Sequence, residues 1–147
     1  MNGKALFSFA FVYCIFFHDA KAQVGYIGNW SPNCGGFGGS INIVKNDDIK
    51  INVNDNNLYI TARLTPRADE YDIYFKDIIE SMNGVVDWAN ISLEKPIAKL
   101  RFQGSTASMD WIGFYDKTKH EYVWPTQTDF NIFSKRTAKI KLTKCHL

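Results

Sequence analysis

Ile49-Lys50-Ile51-Asn52-Val53-Asn54, the polar run Asn54–Asn57, and Leu58-Tyr59-Ile60-Thr61-Ala62-Arg63-Leu64 together read as two strands and the turn between them. Apolar side chains recur at every second position in both halves, the period of a strand with one buried face. Asn and Asp tolerate left-handed backbone and bond their own main chain, so the run between the halves reads as a turn. Upstream, Ile41, Ile43 and Lys45 share a face before Asn46-Asp47-Asp48, a second turn. Tyr26–Ser31, Val85–Trp88, Ile97–Phe102, Met109–Tyr115, Glu121–Trp124 and Ala138–Leu142 extend the pattern to eight to ten short strands. An all-antiparallel chain of this kind must protect its sheet edges, and closure removes them. The fold expected is all-β: one antiparallel barrel of about eight strands.

Thr65–Gly84 carries two periods at once. Ala68, Tyr71, Phe75, Ile78, Ile79 and Met82 fall at helical spacing, with Thr65 placed to cap, Pro66 at the first helical position and Asn83-Gly84 at the end. Tyr71, Ile73 and Phe75 also alternate with Asp72, Tyr74 and Lys76. We favour a strand through Tyr71–Phe75 followed by one short helix near 77–82, over a continuous helix.

The chain has 147 residues, 46% of them hydrophobic, and a formal net charge of +2. That suffices for one packed domain and excludes the low hydrophobicity and high charge of disorder. Seventeen basic residues nearly matched by fifteen acidic ones disfavour nucleic acid as a partner. Lys4, the apolar run Ala5–Phe17 and Ala20-Lys21-Ala22 have the order of a secretory signal cleaved after Ala22. Tyr13 is too bulky to precede a lipidated Cys14, so residues 1–22 read as signal peptide and 23–147 as a secreted or periplasmic domain without stable membrane insertion. The mature chain keeps two cysteines, Cys34 and Cys145, expected to pair in an oxidising compartment.

Gly28-Asn29-Trp30 on the first mature strand resembles the Gly-x-Trp signature that opens lipocalin and avidin-like barrels. The resemblance implies a calycin-type barrel in which Trp30 plugs one end beneath a basic residue from a late strand, a part we assign to Lys139 or Lys141. Periplasmic lysozyme inhibitors are similar in size, secretion, disulfide closure and strand number. Gly28 and Trp30 are thus expected to be structural.

Chemistry is sparse in the sequence. Cys34-Gly35-Gly36-Phe37-Gly38-Gly39-Ser40 precedes a strand and lacks Gly-Lys-Ser/Thr, so it reads as a connection beside the disulfide, a lid over a barrel mouth rather than a phosphate cradle. His120 and His146 have no partners at metal-ligand spacing, and Asp47/Asp48 and Asp69/Glu70/Asp72 lack calcium-loop spacing. No nucleophile elbow occurs. We therefore expect no cofactor, metal or catalytic residues. The C-terminal Lys135, Arg136, Lys139, Lys141 and Lys144 read as a solvated strand face, and Asn29-Trp30-Ser31 and Asn90-Ile91-Ser92 are formal glycosylation sequons.

Met109–Phe130 is the most informative stretch, because both faces of its strands are apolar or aromatic. With Trp111 and Tyr122 near register, Trp111, Tyr115, Tyr122 and Trp124 fall on one side and form the candidate partner-binding patch; Ile112, Phe114 and Val123 fall on the other. These features favour a non-catalytic protein-binding inhibitor or immunity-type module. A carrier of a small apolar ligand is the alternative, and a small secreted hydrolase comes third. A carrier needs a void, whereas large inward side chains would fill a barrel this narrow.

Overall fold

The alternation around Ile49 and Leu58 is realised as a closed sheet in a computed structural model, described for residues 25–55, 57–82, 84, 86–133 and 139–146. The strands are β1 (Gly28–Ser31), β2 (Ser40–Lys45), β3 (Asp48–Asn54), β4 (Leu58–Arg67), β5 (Glu70–Ser81), β6 (Pro96–Gln103), β7 (Thr106–Trp111), β8 (Phe114–Asp116), β9 (Glu121–Val123) and β10 (Ile140–Cys145). Strands β1 to β7 pair in chain order, β10 joins β7 to β1, and all eight neighbours run antiparallel. The barrel therefore has no free edge, and β8 and β9 form a separate hairpin. The signal peptide assigned to 1–22 lies outside the described residues, as do Ala138 and the basic Lys135 and Arg136.

The inward set of the β2–β4 wall is the sequence pattern itself: Ile41, Ile43, Ile49, Ile51, Leu58 and Ile60 are all fully buried. Strand β5 corrects the reading of 77–82. The helical turn expected there is the second half of a twelve-residue strand. Its register against β4 slips twice, at Lys76 and Ile79, so Phe75 faces Ala62, Ile78 faces Ile60 and Ser81 faces Leu58. Each bulge adds one residue to the spacing of inward side chains. Positions 71, 73, 75, 78 and 81 then mimic a helical face while belonging to a strand. Of the strand expected over Val85–Trp88, Val85 lies outside the described residues, and residues 86–88 are not strand. A 3-10 turn occupies Trp88–Asn90, capped by the Asp87 carboxylate accepting from Ala89 N at 3.2 Å.

Aromatic clusters close both ends. At one end Trp30, fully buried, packs on Phe102 at 5.0 Å between centroids, with Tyr26 and Tyr71 beside it. Trp30 Nε1 donates to Tyr26 O at 2.8 Å. The basic residue over this plug is Lys144, not Lys139 or Lys141. Its Nζ lies 5.8 Å from the Trp30 ring and donates to Gly25 O at 3.0 Å. Lys139 instead pairs with Asp110 outside the barrel at 3.0 Å, and Lys141 is exposed. The Lys144 stem passes where a Cβ on Gly28 would sit, with Cε 3.0 Å away, which is the physical reason for glycine there.

At the opposite end Phe75, Trp88, Phe114, Trp111 and Phe130 interlock. Phe130 comes from a 3-10 turn, Asp129–Phe133, which Asp129 fastens to the β3–β4 turn through Asn54 Nδ2 and Asp55 N. The glycine-rich loop contributes the seat for the Phe130 ring at Gly39. Cys34 and Cys145 form the expected disulfide, 111 residues apart in sequence, tying that loop to the end of β10.

Candidate functional site

The β8–β9 hairpin is built on a break in what the sequence presents as one strand, Met109–Tyr115. Ile112 N and Gly113 N both donate to Ile97 O, at 2.9 and 3.2 Å, instead of continuing the β7 ladder. Gly113 takes φ +112, and a Cβ there would lie 2.5 Å from Val123 O. This break changes the parity of the chain. Unbroken alternation would put Met109, Trp111, Gly113 and Tyr115 on one face; here Met109 and Phe114 are both fully buried, and Tyr115 is turned outward. We expect Gly113→Ala to cost about 1–3 kcal/mol in backbone strain alone. Denaturant melts would check this, and a loss under about 0.5 kcal/mol, the range of ordinary surface substitutions, would refute it.

Pairing of Phe114 with Val123, Tyr115 with Tyr122 and Asp116 with Glu121 sets the two faces of the hairpin. Phe114 is fully buried and Val123 packs partly buried against the core, which weighs against Ile112, Phe114 and Val123 as the contact surface; Ile112 itself is half-buried. The four-residue turn closes on Asp116, whose Oδ1 accepts from Thr118 Oγ1 at 2.6 Å, Thr118 N at 2.9 Å and Lys119 N at 3.1 Å. The Thr118 hydroxyl is the main cause holding this carboxyl below the usual aspartate range, followed by the Lys119 amide. His120 sits in the same turn, exposed, at φ +56. The segment after the 3-10 turn braces the free side of β8: Ser92 N donates to Tyr115 O and Lys117 N to Asn90 O, both at 2.9 Å.

The four residues singled out in the sequence separate into two pairs. Tyr115 and Tyr122 meet edge to face on the outer side, 5.2 Å between centroids at 73°, with Lys95 Nζ 5.5 Å from the Tyr115 ring. Trp111 and Trp124 belong to the barrel closure instead. Trp111 stacks on Phe130 at 6.1 Å, and its Nε1 donates to Trp124 O at 2.9 Å, with Trp124 held at φ +58. Trp111 also lines a cleft of about 570 Å³ between β7, β10 and the segment around Thr128, spanned by the Asp110–Lys139 ion pair.

The tyrosine face continues onto the barrel wall through residues not singled out in the sequence. Tyr74 is 7% exposed, and the Arg63 guanidinium lies 4.2 Å above its ring. Arg67 donates to Asp72 Oδ2 at 2.8 Å and to Tyr74 Oη at 3.1 Å, while Tyr74 Oη donates to the same carboxylate at 3.2 Å. Burial, and then the neighbouring Tyr115 and Tyr74 hydroxyls, push the Tyr122 phenol above its ordinary value. The outward position of Tyr74 follows from the alternation of β5, but its proximity to a hairpin some forty residues later does not. No group of three or more His, Cys, Asp or Glu side chains able to hold a metal occurs among the described residues. The chain matches no known family model, and no curated protein or solved structure resembles it significantly.

Proposed function

We propose that this is an exported, non-catalytic module that binds another protein in its own compartment, as an inhibitor or immunity-type protein does, through the outer face of the β8–β9 hairpin. The observation that carries this reading is the Tyr115–Tyr122 pair, held edge to face on a hairpin whose β8 strand is braced by Ser92 and Asn90. Tyrosines of this kind offer large contact area with few rotors and a polar tip. Charge supports the same surface. Lys95 lies over the Tyr115 ring, Arg63 and Arg67 sit against Tyr74 on the adjoining wall, and Asp72 there is engaged by Arg67, so a partner presenting carboxylates is complementary.

Filled inward positions favour an outside function over the carrier alternative: the barrel holds Ile, Leu, Val, Met and Phe side chains that are fully buried, and both ends are plugged. The closed eight-stranded meander, with Trp30 beneath Lys144, supports grouping the barrel with calycin-type proteins. The Cys34–Cys145 bridge is compatible with export.

Capture of the partner from the producing cell's exported proteins, using wild type and the Tyr115→Ala/Tyr122→Ala variant side by side, tests this reading. The variant is expected to lose about 2 kcal/mol or more of binding with its melting temperature nearly unchanged. Association should also weaken with rising salt. Equal retention by both proteins, or unfolding of the variant, would remove the hairpin from consideration as the contact surface.

A further inference from the structure

On the outer wall of β1–β3, away from the hairpin, the disulfide-pinned loop roofs a pocket of about 260 Å³. Its lining mixes apolar surface with neutral polar groups: Asn29, Asn33, Asn52 and Asp55 supply amides and one carboxylate, and Gly35 and Gly36 leave backbone exposed. Asn29 Oδ1 accepts from Asn42 Nδ2 at 2.6 Å, and Asn52 Nδ2 bonds the Asp55 carboxylate, which orients both groups. The other end of the Asn52 amide, Oδ1, is sealed from solvent and accepts no hydrogen bond from a described residue. That atom is out of a ligand's reach, so the amide contributes by orienting the Asp55 carboxylate through its Nδ2. A second, shallower hollow shares Gly35, Gly36 and Asp55 and adds Phe37, which is 75% exposed at the tip of the loop. The loop is anchored at one end by the Cys34–Cys145 bond and at the other by Gly39 under Phe130.

The chemistry of this lining narrows the ligand. Among the described residues no Lys or Arg lines either hollow, so none of them is placed to pair with phosphate or sulfate. One carboxylate is too little for calcium, which takes six to eight oxygens, several of them charged. An apolar ligand would take water from the amides and the carboxylate and return no hydrogen bonds. Side-chain amides donate and accept side by side, and a carboxylate accepts twice. That set matches adjacent hydroxyls, which also donate and accept, and an exposed aromatic ring next to it matches a face of C–H groups.

We propose that this pocket binds a single neutral pyranose ring, its hydroxyls held by Asp55 and the asparagine amides and its C–H face on Phe37. The ring is either a free sugar or the terminal residue of a longer glycan.

Titration of the isotope-labelled protein, produced in a bacterial periplasm so that Asn29 carries no glycan, tests this by amide NMR. The probes are the methyl glycosides of glucose, galactose, mannose and N-acetylglucosamine, with inorganic phosphate as the charged control. Saturable shifts at Gly35, Gly36, Phe37 and Asp55 and at the asparagine side-chain amides are expected with at least one glycoside. Phe37→Ala, an exposed position that leaves the fold intact, and Asp55→Asn should each weaken that binding about tenfold or more. Oligosaccharides ending in the same sugar that bind more tightly assign the site to glycan termini; preference for the methyl glycoside assigns it to free sugar. The proposal is overturned if none of the glycosides gives saturable shifts, if the shifts map elsewhere, if both variants bind as wild type does, or if phosphate moves the same amides more strongly.

Discussion

Trp30→Ala is expected to destabilise the protein by about 3–5 kcal/mol, the usual cost of truncating a buried large aromatic. The expected loss lies toward the upper part of that range, since three contacts disappear together. The ring leaves Phe102, the Tyr26 carbonyl loses the indole N–H at 2.8 Å, and Lys144 loses the face it lies over at 5.8 Å. Trp30→Phe separates these effects, because it keeps most of the apolar volume and removes the donor. It should cost markedly less than alanine, with about 1 kcal/mol of its loss from the hydrogen bond. Both variants are read by denaturant melts. An alanine loss below about 1 kcal/mol would show that the barrel end closes without this plug.

Removing the Cys34–Cys145 bridge with paired serines is expected to cost about 4–5 kcal/mol, because the bond closes a loop of 111 residues and so restricts nearly the whole unfolded chain. The two effects are distinguishable. Trp30 acts on the folded state and leaves its loss visible under reducing conditions, whereas the serine variant and the reduced wild type should melt together. A serine variant within about 1 kcal/mol of oxidised wild type would mean that the bridge adds little constraint to the unfolded chain. Alkylation of the unreduced native protein gives an independent check: uptake of two alkyl groups would contradict the bridge.

How far the sequence reaches is clearest where it misleads. Strands β2 to β4 carry period-2 patterns bounded by Asn and Asp turns, and their inward residues are those read from the chain. Strand β5 defeats that reading because two bulges stretch the interval between inward side chains from two residues to three. Nothing in a local window distinguishes this from a helical face; only the partner β4 shows that Phe75 and Ile78 face Ala62 and Ile60. The hairpin misleads for a similar reason. Alternation carried through Gly113 unites Trp111 with Tyr115, while the backbone turn at that glycine places one in the barrel closure and the other outside.

The candidate sites divide along the same line. Tyr115 facing Tyr122 depends on a short hairpin whose turn is written in Asp116 and Thr118, and sequence alone brings it close. Arg63, Tyr74 and Lys95 join them only because barrel closure places the outer wall beside the hairpin. The pocket under the disulfide likewise gathers Asn29, Asn52 and Gly35 from segments separated along the chain.

By itself the sequence determined the class of fold, the inward faces of the regular strands, the Trp30 plug and the partner of each cysteine. The strands rest on periodicity and turn chemistry, the Trp30 plug on the resemblance of Gly28-Asn29-Trp30 to a Gly-x-Trp signature, and the bridge on the two cysteines outside the signal-like segment. Tertiary structure decided that Lys144 covers Trp30, that β5 is one bulged strand, and which aromatics of the hairpin face solvent. These depend on register between strands, and a slip of one residue exchanges a side chain's face, a choice made by the packing partner and not by the segment that carries it.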